Sequence, residues 1–381
     1  MTPPASHWTD GVLTSPLTGE TLYADTAHSL SSTERWPVLE GIPFLRADRR
    51  ALADAALQAL DAGNAERALV LLLRDQDNWA RTPPPSEAAT LALVQAPQTS
   101  FRDAMDRLAF GAVGAYFAHR WSDPTFLSGL ALAEAHWTGP SRVFELACGA
   151  GHYLREFARL APVVAGGDIV FAKLWLARRY VAPTAQLVCF DAAARWPLPD
   201  DWGDLLFCHD AFYFLPDKPH VAFEMQRVSG GPVLVGHAHN ALVDNLSAGQ
   251  PLPPHGYAAL FGHPLLYDDR ELTAALIEAR TPHPATPDSL AGAPAIAIAL
   301  GAVPGPVLGR LSMPAPGTRL RRNPLYDGTE IRFPSDRYAT EYGPLATYPR
   351  EVEGPAEAIA GDPAIEMLAR RRVLLDLPAS W

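Results

Sequence analysis

Val143-Phe144-Glu145-Leu146-Ala147-Cys148-Gly149-Ala150-Gly151-His152-Tyr153 joins an apolar run, broken by one acidic residue, to a turn of small residues. The run reads as a buried strand and the segment after the turn as a helix. Small side chains at 147, 149 and 151 let backbone approach a ligand closely and let the helix pack tightly on a sheet. A glycine-rich loop on its own is equally a mere tight turn, so its meaning depends on what surrounds it.

Working outward, the apolar runs Ser141–Leu146, Val163–Gly167, Gln186–Phe190, Leu205–Cys208 and Pro232–Gly236 alternate with helical segments. That alternation implies α/β architecture, a parallel sheet with helices on both faces. A helix over Asp269–Glu278 and a last apolar run, Ala295–Leu300, follow. Sheets of this kind bind ligands outside the carboxyl ends of their strands, at the switch in strand order. The second run ends in Gly166-Gly167-Asp168, where a carboxylate can accept both hydroxyls of a ribose. The third ends in Cys189-Phe190-Asp191, and the fourth leads into His209-Asp210-Ala211-Phe212-Tyr213-Phe214. A dinucleotide fold shares this early logic but needs Gly-x-Gly-x-x-Gly. Here Leu154 holds the third glycine position counted from Gly149, which disfavours a pyrophosphate clamp.

Residues 141–236 resemble the class I S-adenosylmethionine-dependent methyltransferases, most of all the ubiquinone and menaquinone biosynthesis branch. The resemblance is carried by Glu145 through Gly151, Gly167-Asp168 with the helix through Ala177-Arg178, Asp191, and Leu215-Pro216-Asp217 leading into Phe223-Glu224-Met225-Gln226-Arg227-Val228. It implies a doubly wound, mostly parallel, seven-stranded Rossmann-like sheet and S-adenosylmethionine as cofactor. By resemblance, Glu145, Ala147, Gly149 and Gly151 contact the methionine part, and Asp168 with Ile169 the ribose. Asp191 with Ala192 then flanks the adenine, and His209 completes the cofactor set. Ala147 departs from the family, which often has glycine there.

Residues 13–45 resemble, more faintly, a small zinc-ribbon-like module fused ahead of methyltransferases or partnered with them. Where that module carries Cys-Pro-x-Cys-Gly, this chain has Ser15-Pro16-Leu17-Thr18-Gly19, and no cysteine occurs within 1–147. A zinc site needs thiolate or imidazole ligands, so a metal-free version is expected, with a role in docking or in closing the active site.

Methyl transfer is an in-line displacement that needs mainly positioning, plus a base where the acceptor must lose a proton. His209, Asp210 and Tyr213 follow the fourth strand and are the candidate catalytic residues; His209 is either a general base or a wall of the pocket. Tyr116, His237 and His239 are the candidate substrate-binding residues. Alternate positions on a strand point the same way, so both imidazoles of His237-Ala238-His239 can face one site. His-x-His can bind a metal, with His209 or His263 as a third ligand. Pocket-lining histidines that recognise a polar acceptor are the preferred reading, and no metal is assigned. His152 and Tyr153, at a helix start, stand where exposed amides favour a cofactor carboxylate. Tyr326, Arg337, Tyr338, Glu341 and Tyr342 form a polar-aromatic cluster that either lines a pocket or packs on the surface. The cysteines, Cys148, Cys189 and Cys208, read as small buried hydrophobes.

The chain divides into a small β-unit over 1–46 and a helical hairpin with linker over 47–100, its helices at Ala51–Leu60 and Ala65–Leu73 and its linker at Pro83-Pro84-Pro85. A methyltransferase-like domain over 101–302 follows, opened by an amphipathic helix over 101–119, and then a proline-rich extension over 303–381 with a final helix near 363–373. A formal charge of −11 argues against holding nucleic-acid backbone. RNA base-amine methylation also favours an Asn/Asp-Pro-Pro-Tyr/Phe loop, whose place is taken by His209-Asp210-Ala211-Phe212. Three cysteines argue against a disulfide framework, the first residues lack signal-peptide regions, and no stretch approaches the roughly 20 apolar residues of a membrane helix. The expectation is a soluble, cytoplasmic enzyme that methylates O, N or C of a small molecule, with self-association as a homodimer left open. The alternative is an inactive S-adenosylmethionine-binding regulatory or scaffold protein.

Overall fold

The computed structural model describes residues 8–96, 98–246, 248–301 and 303–381; residues 1–7 and the domain limit at 302 lie outside them. The chain opens on an antiparallel sheet of β1 (Tyr23–Thr26), β2 (Ser29–Ser31), β3 (Arg35–Leu39) and β4 (Ile42–Pro43), paired in that order. Trp36, Leu39, Ile42 and Phe44 are buried beneath it. The turn at Ser15 is closed by its own hydroxyl, which accepts the Leu17 and Thr18 amides at 3.1 and 3.3 Å and pairs with Glu34. Beyond β4, Phe44 bridges Cys189 in parallel and the Leu45 amide donates to the Cys189 carbonyl at 2.7 Å. The small unit thereby prolongs one edge of the central sheet.

Helices α1 (Arg50–Asp61) and α2 (Ala65–Leu73) form the expected hairpin, with Asn64 capping the second, and α3 (Glu87–Val94) follows. The single helix expected over 101–119 is instead two, α4 (Phe101–Arg107) and α5 (Ala112–Ala118). Between them Ala109 and Gly111 turn into the left-handed region, with φ of 58° and 55°, a break that the spacing of apolar residues does not register. Every residue of α6 (Pro124–Ala135) is buried. A helix buried on every side has no apolar stripe opposed to a polar one, so its sequence carries no amphipathic period.

The central sheet comprises β5 (Arg142–Leu146), β6 (Val163–Asp168), β7 (Gln186–Cys189), β8 (Leu205–His209), β9 (Val233–His239), β10 (Leu265–Asp268) and β11 (Ala295–Leu300), in the order β10-β11-β9-β8-β5-β6-β7. β11 runs antiparallel to both its neighbours and the remaining pairs are parallel, so the fold is the expected seven-stranded, mostly parallel α/β sheet. Its connections run through α7 (His152–Phe157), α8 (Phe171–Leu176), α9 (Lys218–Val228), α10 (Pro254–Leu260) and α11 (Asp269–Glu278). The chain leaves β5 in one direction and returns to its other side as β8, so the switch in strand order lies between them. A crevice opens there at the carboxyl ends.

The tail holds β12 (Arg319–Arg322), β13 (Tyr326–Asp327), β14 (Glu330–Ile331), α12 (Asp336–Tyr342), β15 (Glu357–Ile359), α13 (Pro363–Arg370) and β16 (Leu374–Leu375). It is fastened to the body from the inside. Buried Asn323 accepts from Ser122 Oγ at 2.8 Å and donates to the Arg372 carbonyl at 2.9 Å, while Arg372 donates to the Trp121 carbonyl at 2.6 and 2.9 Å. Among the described residues no helix is long and apolar enough to cross a membrane.

Candidate active site

The loop after β5 bends because three of its residues adopt positive φ: Ala147 (53°), Gly149 (54°) and Gly151 (81°). Space explains two of them. A Cβ on Gly149 would stand 3.1 Å from the Phe117 ring, and one on Gly151 3.0 Å from Ala177 and 3.2 Å from Ala182. Gly151 therefore serves the packing of α7 against its neighbours. Ala147 carries its methyl group in a conformation that costs an L-residue about 1–2 kcal/mol, against about 0.5–1 kcal/mol of backbone entropy for glycine. Ala147→Gly is expected to raise stability slightly, by about 0.5 kcal/mol, in urea unfolding; a loss of stability would contradict the strain assigned to this turn.

Asp168 ends β6 and braces the loop. Its Oδ2 accepts the Gly149 amide at 3.0 Å, its Oδ1 accepts the Val170 amide at 2.9 Å, and Lys173 Nζ lies 3.6 Å away. Burial works against charge on Lys173, but Asp168 and Asp77 outweigh it and raise its pKa. Glu145 is buried with Oε2 lacking a hydrogen-bond partner among the described residues, and burial pushes its carboxyl well above the usual range.

These ends open into a cavity of about 690 Å³. Glu145, Ala147, Gly149, Asp168, Ile169, Asp191, Ala192, His209, Asp210, Tyr213 and Tyr116 all line it, as do His152 and Tyr153. Gly151, His237 and His239 are not among its lining residues. Three further elements contribute to the cavity. Loop 75–82, from the helical hairpin, forms one wall, where Trp79 meets Phe214 edge-on at 5.2 Å. Arg337, Tyr338, Glu341 and Tyr342 of α12 form another, while Tyr326 packs elsewhere with Tyr348. Arg120 enters from the turn after α5.

Arg120 is 3% exposed, so its charge must be met locally. It pairs with Asp123 at 2.9 Å, donates to Thr125 Oγ1 at 2.6 Å, lies 3.6 Å from Asp210 and sits over the Tyr116 ring at 4.9 Å. No local motif flags this arginine; only the Asp123-Pro124 helix start beside it is legible.

Asp210 stands at the centre of the polar wall. Tyr116 donates to its Oδ2 at 2.5 Å and Tyr213 to its Oδ1 at 2.9 Å. Burial would favour its neutral form, but His237 and Arg120 outweigh that and hold its pKa below the usual carboxylate range. His209 has the opposite character. Its ring is wedged where a Cβ on Gly129 or Gly236 would stand 2.6 or 2.2 Å from Nδ1, and neither ring nitrogen is hydrogen-bonded among the described residues. Burial, reinforced by Arg120, drives its pKa well down and keeps it neutral. His152 is likewise held neutral by burial, with a pKa of about 3, and its Nε2 pairs with the Phe117 carbonyl at 2.9 Å. That bond ties α5 to the glycine loop.

Residues 144–235 match the profile of a methyltransferase domain. No curated protein matches the chain. Among solved structures, the complex between the Haloferax volcanii Trm112 methyltransferase activator and a methyltransferase is similar at 21% identity, over 54% of this chain and 98% of that one, with a TM-score of 0.37. An S-adenosylmethionine-dependent methyltransferase from Mesorhizobium loti is similar at 21% identity, over 31% and 55%, with a TM-score of 0.26. One from Aquifex aeolicus is similar at 13% identity, over 49% and 96%, with a TM-score of 0.32. At such scores none of the three bears on function.

Proposed function

We propose that this chain is an S-adenosylmethionine-dependent methyltransferase acting on a small molecule. The observation that carries the reading is the pairing of Glu145 and Arg120 on one cavity. A buried Glu145 carboxyl whose Oε2 has no hydrogen-bond partner among the described residues, and which a cation laid against it would ionise, suits the ammonium of an amino-acid moiety, and a buried guanidinium suits its carboxylate. Asp168 accepts one amide on each oxygen and so keeps lone pairs for ribose hydroxyls. Asp191 and Ala192 line the same cavity and would flank the adenine. The bound cofactor would supply a methyl group on a sulfonium centre, open to in-line attack.

The chain's own task is then to place the acceptor and exclude water. Asp210, kept ionised and gripped by Tyr116 and Tyr213, orients an acceptor N–H or O–H. His209, boxed in by Gly129 and Gly236, shapes the wall. A cavity of about 690 Å³ lies within the size range of small-molecule sites. Trp79 and Tyr342 line the same cavity, and their rings would limit the size of what it accepts. The net charge of −11 offers no footprint for an RNA acceptor.

Incubating the full chain with methyl-labelled S-adenosylmethionine and fractionated cell extract tests the acceptor class. Label is expected in the low-molecular-weight fraction. Label confined to RNA or to protein would overturn the small-molecule reading.

A further inference from the structure

Behind Asp210 and Tyr213, and not themselves lining the cavity, two histidines converge. His237 and His239 end β9, and the pairing of β9 with β11 slips by one residue there, with Val235 facing Ile298 and Ala238 facing Ile296. Such a bulge re-aims a side chain. His237 pays for it with a φ of 50°, and Asp210 opposite has one of 55°. Strained backbone at adjoining strand ends persists where the surroundings dictate it, often at functional positions.

The result is a converging set of ligand atoms. His237 Nε2 lies 3.3 Å from His239 Nε2 and 3.9 Å from Asp210 Oδ1, and one ligand atom from each of the three residues falls within 4.8 Å of the others. With zinc–nitrogen bonds of about 2.0–2.1 Å, the edge of a tetrahedron is about 3.3–3.4 Å, which is the separation of the two imidazole nitrogens. The outer partner is also in place. His237 Nδ1 and Asp269 Oδ2, at the start of α11, are 2.6 Å apart, the arrangement that fixes a ligating histidine with Nε2 toward the ion. His239 is held by its ring stacking on Tyr213 at 4.1 Å and 8°.

We propose that Asp210, His237 and His239 form a binding site for a first-row divalent cation, with zinc the best match and Asp269 as the outer partner of His237. Two imidazoles and one carboxylate suit zinc over calcium or magnesium, which take oxygen ligands. Three protein ligands leave the fourth tetrahedral position for water or an acceptor oxygen. Asp210 also lines the cavity, so the ion would stand at the edge of the acceptor compartment. This inference does not depend on the cofactor being S-adenosylmethionine.

The test uses untagged full-length protein, stripped with a chelator and titrated with zinc by calorimetry and with cobalt by visible absorption. One equivalent is expected to bind with micromolar or tighter affinity, and the cobalt form to show the intense bands of a tetrahedral nitrogen–oxygen site. His239→Ala should weaken zinc binding at least 100-fold, and Asp269→Asn about 10- to 100-fold. If His239→Ala does not fold, the cobalt spectrum of the unaltered chain decides. Binding that His239→Ala leaves intact, or no binding and no tetrahedral bands in the unaltered chain, would overturn the proposal and leave the three groups as a proton-linked cluster.

Discussion

Arg120→Leu is expected to lower unfolding free energy by about 3–5 kcal/mol, because removing one partner of a buried pair leaves the other charge without compensation. Asp123, fully buried at 2.9 Å, is that stranded charge, and Asp210 loses a cation 3.6 Å away. The same change should weaken binding of S-adenosylhomocysteine, which keeps the amino-acid moiety, by about 10- to 100-fold, the worth of a charged hydrogen bond of about 1.5–3 kcal/mol. Arg120→Lys separates the two effects. A lysine keeps the charge beside Asp123 and should recover much of the stability. It loses the planar fork that suits a carboxylate and should recover less of the binding. Chemical unfolding and calorimetry on both variants check this. Equal affinity in all three proteins would remove Arg120 from the proposed cofactor site.

Gly129→Ala carries the second large effect, and its sign is the informative part. In an ordinary helix the change from glycine to alanine gains about 1 kcal/mol. At this position in α6 the new methyl would stand 2.2 Å from the Tyr153 hydroxyl and 2.6–2.7 Å from the His209 ring. Neither can retreat. Tyr153 is 3% exposed and wedged among Phe126, Phe157 and Phe207, and His209 is 6% exposed against Gly236. Overpacking of this kind costs about 1–3 kcal/mol, so a net loss of stability is expected, with a shift of two residues that line the cavity. A thermal melt that rises instead would mean that His209 and Tyr153 are not boxed in.

The parts of the site that the sequence made legible are those set by local pattern. Charge-poor runs at even spacing marked five of the seven strands, Ala295–Leu300 marked another, and their polar ends marked Glu145, Asp168, Asp191 and Asp210. β10 escaped because Leu265–Asp268 runs straight into α11 at Asp269, with no turn residue between them to set it off as a run of its own. What stayed hidden is assembled over long separations. Arg120 and loop 75–82 reach the cavity only through the way outlying segments fold back on the sheet, and nothing in their own composition records that return; α12 shows its polar-aromatic cluster in the sequence, but not whether a pocket or the surface receives it. The two histidines lie between these cases. Their alternation correctly suggested a common direction, but the bulge in β9 and the Asp269 contact sit beyond local reading. They face Asp210 from behind and are absent from the cavity wall on which the alternation alone would have put them.

Titrating the full chain with S-adenosylhomocysteine in a calorimeter, beside Asp168→Ala, tests the central claim most directly. One site with micromolar or tighter affinity is predicted. In Asp168→Ala it should weaken about 10- to 100-fold, as the ribose hydroxyls lose a charged acceptor and the Gly149 and Val170 amides lose theirs. A folded, unaltered chain that takes up no S-adenosylhomocysteine would contradict the claim.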